Sequence, residues 1–229
     1  MARPPRDEPG RAPRATRDAA LQDIGSAALD LVNALDQTFR QQVKRALKVD
    51  LDGSVESLAF VDHYLHMAKD EPREPIVGLV AAGAGAYFGA LVSQTMGAVW
   101  AGDARNPRRL RLLMAPQLIH FSPVDQAYEA IASRALSPDD PRIADGPAFD
   151  PIFHLGAAAA SPESEVTSGD ATPGVPEKTQ AQDDASWLEE RLGELAPVPE
   201  DQFYSLTGRF ETLQLMLELL AAKHGNEGR

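Results

Sequence analysis

The chain has 229 residues, a net charge of −12 at pH 7 and no cysteine. The missing thiols exclude disulfides, thiol nucleophiles and cysteine-ligated zinc. The acidic balance disfavours a nucleic-acid partner, because a phosphate-binding surface needs a basic excess. The N-terminal residues, MARPPRDEPG, lack the apolar run of a secretory signal. We therefore expect a cytoplasmic protein with one core and flanking tails.

The first part of the chain predicts a disordered head and two helices. Residues 1–15 combine Pro, Arg and Gly with almost no apolar surface and are predicted to be disordered. Apolar residues then recur with a helical period and predict a long helix over about 16–48. A break at Asp50–Gly53 precedes a second helix, for which Ser54 is the expected N-cap.

The stretch from Pro75 to Gly102 carries no charge. One interpretation is a dinucleotide-binding turn that uses Gly83 and Gly85 after a strand. Asp103 would then be the acid that binds the ribose. The spacing disfavours this interpretation, because Phe88 stands where the third glycine belongs.

Two helical interpretations of the same stretch remain. A helix over 76–96 is long enough to span a bilayer, but Ser93-Gln94-Thr95 interrupts its apolar surface. The alternative is a central helix of a water-soluble core, in which small residues let other elements approach its backbone. We favour this buried helix and expect no membrane contact.

The residues that follow predict a small antiparallel sheet and another helix. Short strands are expected over about 97–103, 110–114 and 118–121. Ser122-Pro123-Val124-Asp125 has the cap, the proline and the first-turn acid of a helix start.

Arg108, Arg109 and Arg111 are expected on an exposed strand face, with binding of an anion or acidic partner as the alternative. The predicted core domain spans 16–156, and the predicted fold is α+β and predominantly helical.

The C-terminal part predicts a linker and a helical pair. Residues 157–182 are of low complexity and predict a flexible acidic linker. Residues 183–229 predict two helices whose apolar face is too large to leave in water. We expect this pair to dock on the core or on a partner, including a second copy of the chain in a homodimer. The candidate interaction residues are Trp187, Phe203, Phe210, Leu213 and Leu217.

Three segments together resemble a bacterial domain family that has no assigned activity. They are LDGSVESLAFVDHYL, GAYFGALV and AVW, which begin at Leu51, Gly85 and Ala98. The similarity covers about residues 50–125 and can be extended to the terminal YSLTGRFETLQL segment. In the family pattern, a helix start is followed by a second helix and by a strand that ends in Trp. Ala90 stands where that pattern has Glu, so a role of this carboxylate does not transfer.

The candidate metal ligands are few. His63 and His66 are three residues apart on a predicted helix, beside Asp62. A third ligand would have to come from elsewhere, such as His120 or His154. We expect a polar helix face here and no metal.

A calcium loop is also not expected. If Gly53 is placed at the sixth loop position, Lys48 and Ala59 occupy the first and twelfth, where carboxylates are essential.

No catalytic constellation emerges from the sequence. It therefore predicts a non-enzymatic intracellular protein-interaction or accessory module, with a protein partner and no cofactor. One alternative is a nucleotide- or dinucleotide-binding enzyme that uses Gly83 and Gly85. The other is a membrane-anchored adaptor that uses 76–96.

Overall fold

The computed structural model describes residues 14–114, 119–156 and 180–227, which form seven α-helices and four short strands. The fold class is the predicted one: α+β, predominantly helical, with one small antiparallel sheet. The helices are α1 (Arg14–Leu47), α2 (Leu58–Met67), α3 (Glu74–Met96), α4 (Pro123–Ala132), α5 (Gln180–Gly193), α6 (Glu200–Phe203) and α7 (Leu206–Glu227). The strands are β1 (Val99–Ala101), β2 (Arg111–Met114), β3 (Ile119–Phe121) and β4 (His154–Leu155).

Several predicted boundaries move. Helix α1 begins at Arg14, inside the predicted head, and residues 1–13 lie outside the described residues. Most of the predicted linker, 157–179, also lies outside them, while its last three residues belong to α5. Ser54 caps the turn before α2 and not α2 itself. Its hydroxyl accepts a hydrogen bond from the Ser57 N–H at 3.3 Å. A tight turn therefore precedes the helix, and α2 begins only at Leu58.

Helix α3 is the buried helix that we favoured. Thirteen of its 23 residues are buried, and α1 and α4 pack against it. A Cβ on Gly85 would lie 2.7 Å from the Cα of Val124 in α4, and Gly83 faces the side chain of Phe39 in α1. The small residues therefore let two helices approach the α3 backbone closely.

Among the described residues, α3 is also the one helix whose length and composition would allow it to cross a bilayer, but 72% of its most apolar window is buried inside the protein.

Helix α4 begins as predicted and is surrounded on all sides. The Ser122 hydroxyl accepts a hydrogen bond from the Asp125 N–H at 3.2 Å, and Pro123 is the first helical residue. All ten residues of α4 are buried. The helix contacts α2, α3 and α7, which makes it the centre of the molecule.

The sheet is a four-stranded antiparallel arrangement in the order β1-β2-β3-β4. One row of cross-strand neighbours, Trp100, Leu112 and Phe121, faces the core. The adjacent row on the opposite face consists of Val99, Leu113, His120 and His154. Strand β4 was not predicted, since a two-residue strand is too short to give an alternating pattern.

Candidate functional site

The C-terminal helices pack on the domain core of the same chain. Helix α7 lies against α2, α4 and α5. The residues of α7 that are buried in this contact are Leu206, Phe210, Leu213, Met216 and Leu220.

The five candidate interaction residues therefore do not form one exposed surface. Phe210 and Leu213 are buried in the contact of α7 with the core, and Trp187 and Leu217 are partly buried against it. Phe203 remains 42% exposed. The apolar face of α7 is broader than a two-helix seam, and most of it is covered within the chain.

The side chain of Asp62 in α2 caps the start of α7. Its carboxylate accepts hydrogen bonds from the N–H of Leu206 at 2.8 Å, the N–H of Thr207 at 3.1 Å and the Thr207 hydroxyl at 2.5 Å. First-turn N–H groups have no partner within their own helix, so the carboxylate supplies one. Burial raises the pKa of Asp62, although the three hydrogen bonds oppose that rise. Asp62 is thus engaged in a helix cap and is not free to bind a metal with His66.

Two buried ion pairs are arranged along α4. Nε of Arg108 donates to Asp125 at 2.9 Å, and Nη2 of Arg209 in α7 donates to Glu129 at 2.5 Å. Burial raises the pKa of both carboxyls, and burial also lowers the pKa of Arg209. Burial thus disfavours the charged forms of these groups, whereas their pairing favours them.

The position of Arg108 corrects the sequence expectation. It was expected on an exposed strand face, but it is only 4% exposed and lies in a 3₁₀ turn, Pro107–Arg109. Asn106 caps this turn by accepting a hydrogen bond from the Arg108 N–H. The turn directs the guanidinium of Arg108 toward the interior. There Nε donates a hydrogen bond to Asp125, and Nη1 donates one to the carbonyl of Ala144 at 2.6 Å.

The carboxylates of Asp125 and Glu129 also accept hydrogen bonds from the backbone of the irregular chain that follows α4. The second oxygen of Asp125 accepts a hydrogen bond from the N–H of Asp150, and that of Glu129 accepts one from the N–H of Leu136. Their charges and lone pairs are thus engaged by backbone and arginine donors. This arrangement anchors the chain between α4 and β4 and joins α7 to the core.

Two histidines and an aspartate meet at the edge of the sheet. His120 and His154 are cross-strand neighbours with ring centroids 5.0 Å apart and planes 18° apart. Nε2 of His154 lies 2.8 Å from the carboxylate of Asp150. Burial, followed by the charges of His154 and Arg111, lowers the pKa of His120. His120 and His154, which the sequence analysis named as separate residues, thus lie together with Asp150 in one cluster of partly exposed titratable side chains.

The proposed grouping of histidines around a metal is not present in the described residues. His63 and His66 are exposed on α2, whereas His120 and His154 stack on each other in the sheet. No group of three or more His, Cys, Asp or Glu side chains within the described ranges could hold a metal ion.

Helix α2 presents an apolar stripe to solvent. Phe60 is 44% exposed and Met67 is 60% exposed, and the exposed His63 lies between them along the helix. The opposite face of α2 is buried through Leu58, Val61 and Leu65. Residues spaced three and four apart share a helix face, so Phe60, His63 and Met67 form one stripe, which we call the α2 stripe.

The residues of the family-like pattern contact one another. The hydroxyls of Ser57 and Tyr87 form a buried hydrogen bond, and the ring of Trp100 packs directly over Gly89. The guanidinium of Arg40 lies 4.5 Å from the ring centre of Tyr87. These contacts join the turn before α2, α3 and β1, and Arg40 adds a contact from α1.

Sequence reasoning missed the buried ion pairs of α4. A signal was present, because Asp125 and Glu129 are four residues apart and therefore share a face of a helix that is otherwise largely apolar. Asp125 was interpreted only as a first-turn acid. Its partners Arg108 and Arg209 come from distant parts of the chain, so spacing alone could not identify them.

No family model, no curated protein and no solved structure matches the chain.

Proposed function

We propose that the protein is a non-enzymatic intracellular interaction module that binds a protein partner through the α2 stripe. The observation that carries this proposal is the exposure of Phe60 and Met67 on a helix whose other face is fully packed. Exposed apolar side chains that share one helix face are typical of surfaces that bind another protein.

The surroundings of the stripe support a protein partner. The C-terminal helices, which were the first candidate for the partner surface, use their main apolar face within the chain. The buried carboxylates of Asp62, Asp125 and Glu129 are each engaged by backbone or arginine donors. A structural role accounts for these ionisable groups without a reaction.

The chemistry of the stripe indicates the kind of segment that would bind. Phe60 and Met67 are two turns apart, or about 10 Å along the helix axis, and the flexible thioether of Met67 adapts to irregular surfaces. We expect an amphipathic helix that places apolar side chains against both residues. Since the chain carries a net charge of −12, a partner with a basic rim would associate faster.

The two alternatives have less support. Gly83 and Gly85 lie in the middle of α3, and the residues before them are helical, so no strand-to-helix turn is available to hold a pyrophosphate. A membrane-anchored adaptor would require α3 to leave its contacts with α1 and α4, in which most of its apolar window is buried.

The test compares the tagged wild type with three tagged variants in affinity purification from the native host, followed by binding assays with the purified partner. We expect Phe60→Ala and Met67→Ala each to weaken binding of the same partner about tenfold, since interface anchors contribute more than ~1 kcal/mol. Leu29→Ala is the matched control, because Leu29 is an exposed apolar residue on another helix.

Three outcomes would contradict the proposal. One is a partner whose affinity is unchanged by both α2 variants, and another is a partner lost equally in Leu29→Ala. The third is a purified chain that binds NAD(P) or FAD in calorimetry. A chain that dimerises through Phe60 and Met67 in size exclusion would identify a second copy as the partner.

A further inference from the structure

Strand β4 is the edge strand that connects the sheet to the C-terminal helices. It pairs with β3 through two residue pairs, Leu155 with Ile119 and His154 with His120. Helix α5 packs against β4, and Ala181 lies beside Gly156, immediately after the strand. The position of α5 therefore depends in part on a strand with very few ladder contacts.

One of the two pairs consists of stacked imidazoles. The rings of His120 and His154 are nearly parallel, with centroids 5.0 Å apart. Nδ1 of His120 is buried and has no hydrogen-bond partner among the described residues. The carboxylate of Asp150 lies 2.8 Å from Nε2 of His154. The ring of His120 also has a hydrogen bond with the backbone of Gly156, which opposes the lowering of its pKa, and it lies beside a His154 ring whose acceptor is Asp150.

The charges around His120 favour its neutral form. The groups that act on it electrostatically are His154 from β4, Arg111 from β2 and Asp150 from the loop before β4. An imidazolium at His120 would lie in a half-buried position, against the ring of His154 and near the guanidinium of Arg111.

We propose that the His120–His154 pair is an acid-sensitive latch, which holds β4 on β3 while His120 is neutral and releases β4 when His120 takes up a proton. Release of β4 also removes the surface against which α5 packs. Acidification would therefore loosen the junction between the sheet and the C-terminal helices.

The direction of the effect follows from proton linkage. Once β4 is released, His120 is solvated and titrates near the ordinary value of 6.5, whereas burial and the neighbouring positive charges lower its pKa in the latched state. Between those two pKa values the released state binds more protons. The ratio of latched to released molecules then falls by up to about tenfold per pH unit as the pH drops below 6.5.

The experiment is hydrogen exchange of the full-length chain at pH 7.5 and pH 5.5, followed by mass spectrometry and corrected for intrinsic exchange rates. In the wild type we expect the protection of residues 119–121 and 154–156 to fall roughly tenfold at pH 5.5. Residues 124–131 of α4 serve as the internal reference and should keep their protection. His120→Phe retains a ring at the stack but cannot take a proton, so its protection should be the same at both pH values.

Two further variants keep the test decisive if His120→Phe loosens the strand at both pH values. Asp150→Asn removes the one carboxylate that acts on His120 among the described residues and so lowers the pKa of His120 in the latched state further. Protection should then keep falling to a lower pH, and the total loss should be larger than in the wild type. His66→Phe removes an exposed histidine on α2 and should behave as the wild type does. The proposal is wrong if wild-type protection at β4 is independent of pH. It is also wrong if Asp150→Asn makes the total loss of protection smaller or leaves it unchanged.

Discussion

The carboxylates of Asp125 and Glu129 illustrate how a buried charge is tolerated at the centre of a small domain. Each one accepts hydrogen bonds from an arginine and from a backbone N–H of the irregular chain that follows α4. The ion pairs therefore determine which segments lie beside α4, even where the net contribution of the pairs to the free energy of unfolding is small. Buried ion pairs often contribute little net stability but leave a costly charge when one partner is removed.

The pair of Glu129 and Arg209 yields a prediction in the form of a double-mutant cycle. Glu129→Met leaves the Arg209 guanidinium buried without its counter-charge and should lower the free energy of unfolding by about 3–5 kcal/mol. Adding Arg209→Met should recover most of that loss, because the second substitution removes the unpaired charge. Urea denaturation of the four chains measures the cycle. Additive losses in the double variant would show that the two side chains act independently.

Gln126 is a second buried polar residue of α4. It is fully buried, and neither its amide nitrogen nor its amide oxygen has a hydrogen-bond partner among the described residues. Since an unpaired buried amide costs about 1–3 kcal/mol, Gln126→Met should raise the free energy of unfolding by roughly that amount. Thermal and urea denaturation check this. A decrease in stability would indicate that the amide is satisfied in solution, for example by a buried water.

At the scale of elements, α3 shows how glycines set the distance between helices. A glycine within a helix is less stable than alanine by up to about 1 kcal/mol. Gly85 nevertheless lies where the backbone of α4 passes, close enough that a Cβ would touch the Cα of Val124. The close packing of α3 on α4 therefore requires a residue without a side chain at this position.

The prediction for α3 is that Gly85→Ala destabilises the protein although alanine is the better helix former. The added methyl group would force α3 and α4 apart, at a cost of about 1–3 kcal/mol before the gain in propensity. Gly193→Ala is the matched control, because nothing lies within 4 Å of a Cβ at this helical position in α5. It should leave stability unchanged or raise it slightly. Equal effects of the two substitutions in urea denaturation would refute the packing argument.

At the scale of the whole molecule, the C-terminal helices are joined to the core at several independent points. Asp62 caps α7, Arg209 reaches Glu129, and Asp184 in α5 pairs with Lys223 in α7 at 2.5 Å. The described residues on either side of 157–179 lie close together, since a Cβ on Gly156 would lie 3.6 Å from the Cβ of Ala181. The chain thus leaves the sheet and returns to almost the same place.

This geometry predicts that the segment can be excised. Replacing 157–179 by a Gly/Ser linker of about six residues should preserve the fold, because the two ends are already adjacent. The shorter connection should raise the free energy of unfolding by about 1 kcal/mol, since closing a loop costs about 0.6 kcal/mol per doubling of its length. Size exclusion and urea denaturation of the excised chain measure both effects. A chain that aggregates or loses several kcal/mol would show that 157–179 contributes contacts of its own.

The sequence by itself determined the fold class, most helix positions and the start of α4. These features depend on local signals, namely hydrophobic period, a capping serine and a proline at the first helical turn. It also favoured the buried role of 76–96, since the polar interruption and the small residues lie within that segment.

Only the tertiary structure decided the rest. The partners of Asp62, Asp125 and Glu129 are contributed by residues up to 145 positions away in sequence, and no spacing rule relates such residues. The pairing of His120 with His154 depends on the register of a two-residue strand, which is too short to have a periodic pattern. Which side of an apolar helix is covered depends on what packs against it. The exposure of Phe60 could therefore not be read from the chain, nor could the sequence decide whether the core or a partner covers Phe210.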